Sequence, residues 1–160
     1  MRNTRLMFGI VLTATACIAR PGTLDRTLEP GAQWSAVIAP TTNDGVRGSF
    51  TFIRLDPPGQ TRTIISLAGG SPGAIIPWHV HYGRCGEDGS IVGKPGSYPP
   101  LALGSTGRLE ATAQLPVELQ TGTRYFLHLH ASPADMKTVA ACAALVPQRG
   151  APMVANVPQP

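Results

Sequence analysis

Short runs in which every second residue is apolar dominate the middle of this chain. Trp34, Ala36 and Ile38 alternate with small or polar partners, and Val46 to Phe52 repeats the pattern with Arg47, Ser49 and Thr51 on the opposite side. Thr61 to Ala68 is a third such run, set off from the second by the turn sequence Pro57-Pro58-Gly59. Later runs are Ala74 to His81, Gly107 to Leu115, Arg124 to Ala131 and Val139 to Leu145. Successive side chains of a strand point to opposite faces, so a period of two predicts half-buried strands. Seven or so short strands separated by Gly- and Pro-rich turns predict an all-β sandwich or barrel.

Two stretches break the alternation. Tyr82 to Gly104 is rich in Gly and Pro, has no clear period, and reads as a long loop of the kind that is functional or mobile in compact domains. Ser132-Pro133-Ala134-Asp135 has a Ser cap, Pro at the first position and an acid at the third, which predicts a short helix before the strand through Cys142.

The ends differ in composition from this body. Arg2 and Arg5 precede an apolar stretch from Leu6 to Ala16 that is too short to span a bilayer, which predicts an export signal over residues 1–16. Ala14-Thr15-Ala16 then meets Cys17, an arrangement that suggests bacterial lipoprotein processing with Cys17 as the acylated first residue. Such signals carry leucine where Ala14 stands, so ordinary cleavage nearby is the alternative. Residues 17–31 read as a tether, 32–146 as one domain, and the Pro-rich stretch 147–160 as a disordered tail. The expected location is the bacterial cell envelope or periplasm, with membrane attachment only through the lipid.

Export changes how the cysteines and charges read. With Cys17 set aside, Cys85 and Cys142 remain, and an oxidising compartment favours a bridge between them. Without Arg2 and Arg5 the net charge falls from +4 to about +2, too small and dispersed to predict nucleic-acid binding. No nucleophile with a recognisable base and oxyanion motif is present, and no phosphate-binding glycine loop.

The chemistry concentrates in the histidines. All four fall in two His-x-His pairs, His79-Val80-His81 and His128-Leu129-His130. Residues i and i+2 of a strand share a face, so each pair aims two imidazoles into one space. If the strands lie close, up to four nitrogens converge, a donor set suited to copper or zinc rather than magnesium or calcium. The alternative is four ordinary strand histidines that bind nothing.

Three short motifs in order resemble copper/zinc superoxide dismutase: His79-Val80-His81 followed by Cys85, His130 followed by Ala131-Ser132-Pro133-Ala134-Asp135, and Val139-Ala140-Ala141-Cys142. The resemblance covers about residues 32–146. It implies a Greek-key sandwich or flattened barrel of seven to eight antiparallel strands, copper held by His79, His81 and His130, and a Cys85–Cys142 disulfide. The chain departs from the pattern in several places. No histidine lies between His81 and His128, so the copper–zinc bridging residue and the zinc ligands are missing, and Glu87 and Asp88 alone make no tetrahedral zinc site. The interval from His81 to Cys85 is a residue short, and Val139 stands where the family has its anion-guiding arginine. The resemblance therefore implies a copper-only member, or a relative that has lost catalysis. Arg84 and Lys137 are the candidate substitutes for the guide charge, superoxide or a copper ion the expected small ligand, and Tyr82 and Trp78 packing residues. His128, which the resemblance leaves unexplained, is either a fourth nitrogen ligand or a histidine that merely borders the site.

Overall fold

The computed structural model describes residues 31–40 and 45–148. The expected export signal, Cys17, most of the expected tether and the stretch beyond Gln148 lie outside the described residues. Among the described residues there is no α-helix, and no helix long and apolar enough to cross a membrane.

The alternating runs form the expected strands: β1 (Gln33–Ile38), β2 (Arg47–Arg54), β3 (Thr61–Ala68), β4 (Ile75–Ile76), β5 (Trp78–Tyr82), β6 (Leu101–Ala102), β7 (Leu109–Leu115), β8 (Tyr125–Ser132), β9 (Asp135–Ala144) and β10 (Val146–Gln148). A five-stranded sheet has the order β10-β1-β2-β3-β7 and a three-stranded sheet the order β5-β8-β9, with β4 and β6 paired separately. Every pairing is antiparallel. A later strand, β10, returns beside the first of three consecutive strands, as in a Greek key.

The core lies between the two larger sheets. Trp34, Phe50, Phe52, Ile65 and Leu115 point inward from one, and Trp78, Val80, Tyr125, Leu127 and Leu129 from the other. Rings do much of the filling: Trp78 lies 5.2 Å from Phe50, and Trp34 meets Tyr125 edge-on at 6.4 Å. The turn between β2 and β3 closes with the Leu55 N–H donating to the Gln60 carbonyl, and Gly59 takes φ +105° there, which a side chain would resist.

Four expectations change. The run Ala74–His81 is not one strand, because Pro77 lacks an N–H and divides it into β4 and β5 in different sheets. The loop after Tyr82 is partly paired: Ile91 bridges to His81, Pro95–Ser97 makes one turn of 3-10 helix, and β6 returns to β4. No helix forms at Ser132. The Asp135 N–H donates to Ser132 Oγ and the Thr138 N–H to Asp135 Oδ1, both at 3.1 Å, so the same capping groups close a β8–β9 hairpin instead. Finally, β10 carries the fold two residues past Val146.

Candidate metal centre

The alternation that builds the core also builds the site. In β5, Trp78 and Val80 face inward at 1% and 0% exposure, which turns His79 and His81 to the outer face of the three-stranded sheet. In β8, Tyr125, Leu127 and Leu129 face inward, which turns Phe126, His128 and His130 outward. The register sets His79 opposite His128 and His81 opposite Phe126, so all four imidazoles share one face. Register shifts flank His130 on both sides. Bulges of this kind re-aim side chains next to functional sites. The His130 main-chain N–H donates to the Pro77 carbonyl at 2.8 Å, tying β8 to the residue just before β5.

Three of the four histidines converge. One ring nitrogen from each of His79, His81 and His130 lies within 4.8 Å of the others. The shortest approach is His79 Nδ1 to His130 Nε2 at 3.2 Å. Two nitrogens each about 2.0–2.1 Å from one ion stand about 2.9–3.6 Å apart for angles between about 90° and 120°, so this pair has the spacing of neighbouring ligands. In the metal-free protein one of the two must carry a proton to make the contact; an ion would replace that proton.

His81 is held as a ligand is held. Its Nδ1 donates to the Gly89 carbonyl at 2.8 Å, which leaves the lone pair on Nε2. That Nε2 is buried and has no hydrogen-bond partner. An unpartnered buried polar atom costs about 1–3 kcal/mol. An ion supplies the missing partner, and the all-imidazole donor set suits copper or zinc. Phe126 stacks on His81 at 5.1 Å, and Tyr98 sets its ring edge-on to His79 at 5.5 Å. Gly89 is required where it is, since a Cβ there would collide with the Tyr82 carbonyl oxygen. A cavity of about 290 Å³ borders His130, but its lining adds no further imidazole, thiolate or carboxylate.

His128 is brought to the same face but not into the converging group. Cys142 lies opposite His128 on β9 and forms the disulfide with Cys85, Cα atoms 5.9 Å apart, so the loop after β5 is clamped beside the histidines. Arg84 and Lys137 are both exposed; the Arg84 main-chain N–H donates to Glu87 Oε2, and its carbonyl accepts from the Glu87 N–H. Gly89, Tyr98 and Phe126 were not named as site residues from the sequence; only Phe126 left a signal, since it precedes His128 and His130 at the same two-residue interval.

Burial favours the neutral form of His79, His128 and His130. It is the main cause that lowers His79 to about 4, with His130, His81 and His128 adding to it. Burial likewise lowers His128 to about 4, helped by His81 and His130. It also lowers His130, against the raising effect of the Met136 backbone. Metal binding needs deprotonated imidazoles, so the lowering at His79 and His130 favours it at neutral pH.

A sign follows for the metal-free protein. Below the ordinary histidine value of 6.5 the unfolded chain takes up protons that the folded chain refuses until about 4. Stability is therefore full above about 6.5 and falls progressively toward 4. Thermal unfolding of the chelator-treated protein should show this fall, and a His79→Ala/His128→Ala variant should show less of it. Equal pH dependence in the two proteins would contradict the account.

No protein-family model matches the chain, and no curated protein matches it.

Proposed function

We propose that this chain holds copper at His79, His81 and His130 and dismutes superoxide there. The observation that carries the reading is the convergence of one imidazole nitrogen from each of His79, His81 and His130, at a site where the buried His81 Nε2 has no hydrogen-bond partner. The ordered motifs shared with copper/zinc superoxide dismutase support it, and so does the all-β sandwich bearing those motifs. The Cys85–Cys142 disulfide fits an oxidising compartment, in keeping with export and a lipid anchor at Cys17.

Bound copper would supply one-electron cycling between two oxidation states, which zinc cannot. The protein's part is positional. The Gly89 carbonyl fixes the tautomer of His81, Phe126 and Tyr98 fix the planes of His81 and His79, and the Pro77 carbonyl fixes the backbone at His130. Arg84 and Lys137 would serve as loosely held steering charges.

One observation favours a second reading, a copper-binding envelope protein without rapid turnover. Val139, 41% exposed, occupies the place of the family's guide arginine. Steering raises association rates by about 10- to 1,000-fold and is lost with salt. We therefore expect the copper-loaded protein to dismute superoxide at about 10⁶–10⁸ M⁻¹s⁻¹, under the diffusional ceiling, with little dependence on ionic strength. Pulse radiolysis measures this directly. Dismutation no faster than in metal-free protein would leave the binding role alone.

A further inference from the structure

Among the described residues two buried histidine nitrogens have no hydrogen-bond partner, His81 Nε2 and His130 Nδ1, and the metal reading accounts for the first alone. His130 is 7% exposed, and its Nε2 is the nitrogen turned toward His79. The Met136 backbone raises the His130 pKa but makes no hydrogen bond with Nδ1. An ion on Nε2 leaves Nδ1 as the protonated nitrogen, so the orphan is a donor in need of an acceptor.

His130 is also part of the wall of the cavity of about 290 Å³, whose lining includes none of the other three histidines. The cavity lies where the β3–β4 turn and β4 meet β9 and the shifted register of β8. It is open because its walls are small: Gly45 and Gly70 carry no side chain, and Ala74, Ala131, Ala140 and Ala141 only a methyl. Val46, Ile76 and Leu129 add aliphatic surface, and Ser71 the single hydroxyl. No Asp, Glu, Lys or Arg lines it among the described residues, so an ion or a sugar would find nothing there to replace its water. An apolar cavity of about 150 Å³ holds a benzene molecule, and this one has room for a substituted ring. We propose that it is a second site, for a small uncharged apolar molecule with one carbonyl oxygen, which accepts the His130 Nδ1 proton. That bond rests on the metal reading above; the cavity does not. An acceptor on Nδ1 makes a metal-bound imidazole a stronger ligand, so the molecule and the metal strengthen each other's binding by the same factor.

The test is equilibrium dialysis of the exported full chain against acetophenone and against ethylbenzene, which has nearly the same shape without the oxygen. Both should saturate in the metal-free protein with a Kd on the order of 0.1–1 mM, as expected of ligands this small. Ala74→Leu and Ser71→Leu, the second at an exposed position, fill the cavity and should weaken both molecules by at least about 10-fold, with melting of each variant as the control for folding. Copper loading should tighten acetophenone about 2- to 10-fold, the worth of one hydrogen bond, and leave ethylbenzene unchanged. No saturable binding to the wild type, or binding that both cavity-filling variants leave intact, overturns the site. Copper that tightens neither molecule, or both alike, overturns the bond to His130. A chain that takes up no copper yet binds both molecules contradicts the metal reading and leaves the cavity site standing.

Discussion

His81→Ala should lower copper affinity by more than about 100-fold while leaving the metal-free protein nearly as stable as before. Losing a group that merely orients a ligand costs about 10- to 100-fold in affinity, so losing the ligand costs at least that. The stability side is a balance. Truncation removes the stacking on Phe126 and the bond to Gly89, but it also removes a buried nitrogen with no partner. Each of these effects is worth on the order of 1–2 kcal/mol and they oppose, so the net change should stay under about 2 kcal/mol. Copper then separates the two proteins. At a free copper concentration a thousandfold above the wild-type Kd, binding adds about 4 kcal/mol to the wild type. For a variant weakened 100-fold the same copper adds about 1.4 kcal/mol. Thermal unfolding with and without copper reads both numbers. A variant stabilised by copper as much as the wild type would remove His81 from the site.

The Cys85→Ala/Cys142→Ala variant should lose about 4 kcal/mol of stability. The bridge joins residues 57 apart in sequence, and in the chain-entropy model closing a loop of that length in the unfolded chain is worth about that much. Its position adds a second effect. Cys85 lies on the segment that runs from His81 to Gly89, so opening the bridge loosens the support of His81 as well as the fold. Copper affinity should therefore fall along with the denaturant midpoint. A loss under about 1 kcal/mol would mean that the loop's own backbone bonds, Tyr82 to Ser90 and Gly83 to Arg124, hold it in place without the bridge.

The fold was largely legible because an alternating run states both that a strand exists and which face it buries. Phe50 and Phe52, or Trp78 and Val80, announce the core by their spacing. The same period placed His79 with His81 and His128 with His130 on shared faces, and the pairing of Cys85 with Cys142 followed from their number and compartment. What escaped was set by long-range contacts. Ser132 to Asp135 carries capping groups that serve a helix or a hairpin equally, and pairing along β9 decided for the hairpin. Pro77 should have divided its run, since proline cannot pair within a strand. Gly89 and Tyr98 left no local signal, because a carbonyl bonded to His81 and a ring set against His79 are consequences of the packed loop. Nor could spacing alone separate His128 from the triad. Both pairs look alike in sequence, and only the register and its shifts beside His130 distinguish them.

The most direct test of the metal centre is metal content by mass spectrometry on the chain exported to an oxidising compartment with copper and zinc both supplied. The account predicts about one copper per chain, lost in a His79→Ala/His81→Ala variant that still folds. Wild-type protein that is metal-free, and no less stable for it, would contradict the account and leave a disulfide-clamped sandwich with four unliganded histidines.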